Sequence, residues 1–297
     1  MERILIVGCG DIGLRVAGLL RGRYRLYGLL RDPARSQRLR GADVRPVSGD
    51  LDARASLGRL SGLADVVLHF APPPNVGEDD PRTRNLLAAL SRGRLPRRLV
   101  YISTSGVYGD CGGEFFDETR PVDPQSARAK RRMSAEQRLR RWGVRNGVAV
   151  VVLRVPGIYS AERLPLARLR AGTPAFVETD DGYTNHVHAE DLARCAVAAL
   201  HHGRAGRVYH AADDGGLRLG EYFDAIADAF DLPRPPRFPR EEVRRQVSPE
   251  LWSFMGESRR LDNTRMRVEL KVGLRYPSVI DALEKMRSRI DSTDTDG

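Results

Sequence analysis

The apolar positions of this chain fall into short β-rich runs, separated by stretches in which apolar residues recur every three or four positions. Runs at Arg3–Val7, Tyr24–Leu30, Val44–Ser48, Asp65–Phe70, Arg98–Ser103, Val148–Val155 and Val208–Ala211 read as strands. Helical spacing is predicted for Gly13–Arg21, Ala53–Ser61, Arg82–Arg92, Gln125–Asn146, Ala189–His202 and Leu219–Phe230, with Pro81 placed to start the third. Strands that alternate with helices in this way specify an α/β fold with a parallel, doubly wound sheet. Prolines crowd Leu232–Pro239, and shorter helical stretches follow from Glu241. The expected organisation is therefore a nucleotide-binding domain over 1–230, with lobe insertions at about 160–187. A small C-terminal lobe over 231–290 and a frayed tail over 291–297 complete it.

The break between the first strand and the first helix is Gly8-Cys9-Gly10-Asp11-Ile12-Gly13. This pattern fits a dinucleotide pyrophosphate better than anything else. Gly8 permits the tight turn, Gly10 lets backbone approach phosphate without a Cβ in the way, and Gly13 allows the helix to pack closely. The free N–H groups of the turn opened by Asp11 and Ile12 then face the phosphates. A glycine-rich turn of no function is the competing reading, and the later motifs weigh against it.

Length and composition narrow the class further. A chain of 297 residues with 41% hydrophobic content buries a large core. No long apolar run predicts a membrane span, and the chain enters its first core strand at once, leaving no room for a signal peptide. A cytoplasmic protein is expected. Three cysteines, Cys9, Cys111 and Cys195, lie too far apart for a disulfide framework or a structural zinc site. The net charge of +10 raises the question of a nucleic-acid partner. The arginines are spread over most predicted helices, however, and their densest run, Arg128 to Arg145, has only Trp142 among it. No nucleic-acid partner is expected.

At the end of the second strand stands Arg31, where an NAD binder usually carries an acid for the ribose hydroxyls. A guanidinium there suits the 2′-phosphate of NADP, while the neighbouring Asp32 keeps NAD open. The His186-x-His188 pair sits at strand spacing, but no further ligand lies near it in sequence, so no metal is expected.

Four segments carry a family resemblance: Val67-Leu68-His69-Phe70-Ala71, Tyr101 through Gly109, Leu153-Arg154-Val155-Pro156-Gly157-Ile158-Tyr159, and Asn185 through Ala193. With the glycine loop they make the chain resemble the extended short-chain dehydrogenase/reductases, the NAD-dependent epimerase/dehydratase group. The resemblance implies a Rossmann-type domain carrying a substrate lobe. By it, Asp50 and Leu51 hold the adenine, Phe70 and Ala71 flank the cofactor, and Pro156 and Gly157 lie near the nicotinamide. Thr104, or Ser105 as second choice, matches the hydroxyl that polarises the substrate oxygen.

The family's Tyr-x-x-x-Lys pair is missing, and its positions read Arg128 and Arg132, as in the atypical members of the superfamily. A guanidinium offers no base at neutral pH, so the acid–base apparatus is altered. Tyr108 is the candidate for a displaced phenol, and Arg128 or Arg132 the candidates for stabilising an oxyanion or binding an acidic substrate. Arg259 and Arg260 match the family's substrate-facing basic residues only loosely. The expectation is an NAD(P)-binding oxidoreductase or epimerase-type enzyme acting on a polar small molecule, as monomer or homodimer. A non-catalytic, NADP-binding sensor is the rival.

Overall fold

The computed structural model describes residues 1–294, with side chains through 287. Its framework is a parallel sheet of β1 (Arg3–Val7), β2 (Arg25–Leu30), β3 (Val44–Ser48), β4 (Val66–His69), β5 (Arg98–Thr104), β6 (Ala149–Val155) and β7 (Val208–His210). In space the strands run β7-β6-β5-β4-β1-β2-β3. The order reverses beside β1, and ligands of open α/β sheets bind at such a switch point.

The pattern of β1 explains how the sheet is covered. Ile4 and Ile6 enter one core with helices α1 (Asp11–Leu20) and α4 (Ala189–His202). Leu5 and Val7 enter the opposite core with α2 (Pro81–Leu90) and α3 (Ala127–Asn146). All four side chains are fully buried, so the strand reads as continuously apolar and not as alternating. At ~1.5–3 kcal/mol for each buried aliphatic side chain, the central strand alone anchors both layers.

Sequence and structure differ in two places near the site. The stretch expected as a helix over Ala53–Ser61 is a 3-10 helix over Arg54–Leu60, and the arginine-rich stretch after Pro33 contains a short helix, Ser36–Gly41. The second has only Leu39 buried, which gives no periodic signal.

A third core cluster, separate from the sheet, joins Tyr159, Leu169, Phe176, Tyr222, Phe223, Ile226, Val243, Met255 and Leu283. It forms the small lobe, and the helix Leu219–Ala229 packs its apolar side into it. Short parallel pairings tie the lobe to the domain, His186–His188 to Gly157–Tyr159 and Arg260–Leu261 to Phe115–Phe116. A helix over Val279–Asp294 takes in the first residues of the segment expected to be frayed, and residues 295–297 lie outside the described residues. Among the described residues no helix is long and apolar enough to cross a membrane.

Candidate functional site

Two cavities lie along the carboxyl ends of the strands. The first, of about 440 Å³, is lined by Gly8, Cys9, Gly10, Leu30, Arg31, Asp32, Arg35, Arg38, Asp50, Leu51, Ala71 and Arg82. Gly8 has φ +102°, and a Cβ there would stand 2.4 Å from the Ala71 nitrogen. Only glycine fits. A Cβ on Gly13 would meet the Gly8 carbonyl oxygen at 2.5 Å, so these two glycines fold the loop tightly against itself. A Cβ on Gly10 would meet nothing within 4 Å, leaving open space before the helix. Gly10 caps α1 without any side-chain hydrogen bond, so the first-turn N–H groups are free for an anion. These features fit a dinucleotide pyrophosphate.

The other residues expected at the cofactor fall into two sets. Asp50 and Leu51 line the cavity, the Asp50 carboxylate accepting the Asp52 N–H at 3.0 Å. Asp11 is paired instead with Arg15 at 2.7 Å and Arg163 at 3.4 Å, which offsets its charge at the helix N-terminus. Ile12 is buried, and Phe70 packs against the same core. Phe70 therefore supports the cavity wall from behind while Ala71 lines it. Arg31 and Arg38 make no side-chain hydrogen bond or ion pair among the described residues. Asp32 is partly occupied: its carboxylate caps the turn at Ala34 N, 3.0 Å away, and stands 3.7 Å from Arg35.

The second cavity is a cleft of about 600 Å³ between the domain and the lobe. Thr104 ends β5 and Ser105 opens the turn after it, Pro156 and Gly157 follow β6, and all four line it. A Cβ on Gly157 would come within 2.8 Å of the His186 ring, so glycine lets the two strands close here. His186 stacks on Tyr222 with ring centroids 4.0 Å apart, and burial pushes its imidazole down to about 3. His188 instead stacks on Tyr276 and accepts the Glu190 N–H, which caps α4. Among the described residues no group of three His, Cys, Asp or Glu could hold a metal.

Arg128, on the first turn of α3, reaches into the cleft. Its Nη1 lies 3.5 Å from Thr104 Oγ1, and its guanidinium carbon sits 3.9 Å from the centre of the Phe254 ring. Burial lowers its pKa to about 10, which leaves it a cation at neutral pH. Thr104 Oγ1 also accepts the Gly106 N–H at 3.2 Å.

Two expected catalytic residues are placed elsewhere. The Tyr108 hydroxyl is locked 2.7 Å from His210 Nε2 and 2.7 Å from Arg154 Nη1, and burial pushes its pKa up to about 12. It does not line the cleft, because the turn after β5 folds its ring inward against Phe116. Arg132 is likewise committed, to the Ile102 carbonyl at 2.8 Å and the Tyr101 hydroxyl at 3.2 Å. Its position one turn along α3 points it at the side of β5. Beneath both, Glu136 and Arg154 form a buried ion pair at 2.8 Å, with Ser103 donating to Glu136 at 2.5 Å.

Sequence reasoning underweighted Arg259 and missed Arg168, Tyr183, Tyr222 and Phe254, all lining the cleft. Only Arg259 carried a signal, its loose match to a family basic residue. It donates to Glu257 at 2.6 Å and to the Gly109 carbonyl at 2.5 Å, which fixes it at the cleft wall.

Comparison with known proteins bears on the family and the fold. The chain is 28% identical over 279 residues to the GDP-6-deoxy-D-mannose reductase of Pseudomonas aeruginosa, covering 82% of this chain and 87% of the relative. A functionally unknown conserved protein from Silicibacter pomeroyi superposes with a TM-score of 0.79 at 25% identity, over 98% of this chain and 99% of that one. UDP-glucuronic acid 4-epimerase from Bacillus cereus, solved with UDP-glucuronic acid and NAD, shares the fold with a TM-score of 0.75 at 19% identity, over 98% and 99% of the two chains. The sequence model of the NAD dependent epimerase/dehydratase family matches residues 4–212, from β1 through the strand that closes the sheet, and the chain belongs to that family.

Proposed function

We propose that this enzyme is an NADP-dependent oxidoreductase acting on an anionic, nucleotide-sugar-like molecule, with Thr104 and Arg128 contacting the reacting oxygen. The observation that carries the reading is the pair of cavities along one sheet edge, the first cationic and the second ending at the Thr104 hydroxyl. Arg31, Arg35, Arg38 and Arg82 stand against two acids, Asp32 and Asp50, in the first cavity. That balance favours a 2′-phosphate over a bare ribose. A nicotinamide dinucleotide, when bound, supplies hydride chemistry.

The chain's own residues do the rest. The uncapped turn at Gly10 and the arginines bind, Pro156 and Gly157 bound the reacting end, and the Thr104 hydroxyl polarises a substrate oxygen. Arg128, Arg163, Arg168 and Arg259 line the cleft with only Glu162 and Glu257 as acids, which favours an anionic substrate. The names of the relatives, a GDP-sugar reductase and a UDP-sugar epimerase, fit that class.

Titration of the protein with NADPH and NADH by intrinsic fluorescence tests the cofactor. A panel of nucleotide sugars and simple carbonyls, followed by absorbance of the reduced cofactor, tests the reaction. Tight NADPH binding with turnover supports the proposal, and failure to bind either nucleotide overturns it. A second reading, a nucleotide sensor without chemistry, is favoured by Phe254 lying over Arg128 within the cleft. Tight binding with no turnover across the panel selects it.

A further inference from the structure

Among the described residues no histidine or carboxylate lining the cleft is suited to exchange a proton with substrate at neutral pH, and the Tyr183 ring is held between the Arg218 and Arg260 guanidiniums. His186 is held down near 3 by burial, and burial raises the Tyr222 phenol well above its ordinary range. Glu257 is committed to Arg259 at 2.6 Å, and Glu162 accepts the Ser160 hydroxyl at 2.7 Å. What the cleft does contain is two hydrogen-bond donors converging beside β5. A hydroxyl has one proton and two lone pairs. Thr104 Oγ1 already accepts from Gly106 N and from Arg128, so its proton is uncommitted. Arg128 supplies the second donor, and its Nε is buried without a partner.

We infer that Thr104 and Arg128 form a two-donor oxyanion site that replaces proton transfer by the protein with charge stabilisation, so that the substrate oxygen exchanges its proton with water. The inference rests on the proposed oxidoreductase reading. In the reductive direction a hydride from the reduced nicotinamide cofactor forms a new C–H bond at the carbonyl carbon. The C=O π pair moves to oxygen, the alkoxide is held by the Thr104 O–H and the Arg128 guanidinium, and water then protonates it. The carbonyl is reduced and the cofactor oxidised.

The consequence is a direction. Reduction needs no base, whereas oxidation of an alcohol must first release a proton that no histidine or uncommitted carboxylate lining the cleft accepts. Epimerisation and dehydration that begin by oxidising a substrate hydroxyl are therefore slow here at neutral pH, and the enzyme works as a carbonyl reductase. Arg128 is faced by Glu257 and Arg259 of the lobe and by Arg131 and Arg132 of its own helix, and it keeps its charge up to about pH 10.

Two measurements test this. In the first, oxalate is titrated into the cofactor-free protein by calorimetry, as a probe of the oxyanion site. Binding that weakens at least tenfold in Arg128→Ala, and is largely kept in Arg128→Lys with unchanged thermal unfolding, supports the pair. No binding, or binding indifferent to Arg128, overturns it. In the second, kcat/KM is followed from pH 6 to 9 with NADPH and 9,10-phenanthrenequinone, and in reverse with NADP and the nucleotide sugar that reacts fastest. The expected reductive profile is flat, falling about 10²–10³-fold in Arg128→Ala, while the oxidative rate rises about tenfold per pH unit. A reductive rate that falls above a pKa near neutrality, with an oxidative plateau, reveals a protein acid–base group and overturns the inference. Absence of turnover with every probe removes the proposed function, and the oxalate titration then still decides the site.

Discussion

The cavity at Gly8 is lined by residues 7 to 82, from the ends of β1 and β2, the segments that follow β1 to β4, and the start of α2. The cleft at Thr104 draws on residues 104 to 259, from both the sheet and the lobe. The first is shaped chiefly by backbone: a positive φ at Gly8, two glycines with no room for a Cβ, and an uncapped helix turn. The second is shaped by side chains whose partners lie far away in sequence, such as Arg128 over Phe254 and Arg259 on Gly109. On the proposed reading, cofactor binding rests on local backbone geometry, and the chemistry rests on long-range contacts that single substitutions can change.

The largest expected effect falls on the backbone-built side. Gly8→Ala puts a Cβ 2.4 Å from Ala71 N at a φ that disfavours alanine, and the loop must open. Dinucleotide affinity measured by fluorescence should fall by about 100-fold or more, with ~1–3 kcal/mol lost from stability. If Gly8→Ala binds NADPH normally, the contrast between the two cavities fails at its strongest point.

Next comes the buried ion pair beneath Tyr108 and Arg132. Glu136→Ala leaves Arg154 charged and buried without its partner, which costs about 3–5 kcal/mol in chemical denaturation. Below the transition the Gly8 cavity should still bind dinucleotide, because none of its lining residues belongs to this network.

Asp213, which lies behind His186 and does not itself line the cleft, gives a pH test of the cleft's support. Its N–H donates to the His186 carbonyl, its carboxyl is buried, and that burial raises its pKa to about 8. The folded protein then holds a proton that the unfolded chain releases near pH 4, so stability falls as pH rises from about 4 to 8. Between pH 6 and 8 the loss from this group is of the order of 2 kcal/mol, and Asp213→Asn should remove that slope in thermal melts. A variant with the wild-type slope would mean that Asp213 is already ionised.

The smallest effect belongs to the exposed rim of the first cavity. Arg31→Ala should weaken NADPH by about tenfold while leaving NADH within about twofold, read by paired titrations. Equal losses for both nucleotides would sharpen the comparison differently, making Arg31 a general contact to the cofactor and not a reader of the 2′-phosphate.

The Arg-rich helix shows how legibility divides. From sequence its face reads as solvated or as part of a pocket, with like charges opposing a second copy. In the fold, acids of the Pro72–Asp80 loop meet it: Asp79 pairs with Arg138 at 2.9 Å, Glu78 with Lys130 at 2.7 Å, and Arg131 donates to the Gly77 carbonyl at 2.6 Å. Arg128 alone among these turns to the cleft. Spacing along one helix cannot separate such fates, since the partners come from a loop some 50 residues away.

The parallel sheet, the glycine loop and the hydroxyl at the end of β5 are legible in the chain alone. These depend on local propensity, on period and on a turn that only glycine can adopt. The third core, the burial of Tyr108, the commitment of Arg132 and the convergence of Thr104, Arg128 and Phe254 emerge only once the chain is folded. Those features depend on which side chains reach the same volume, and packing of distant segments fixes that, not their order along the chain.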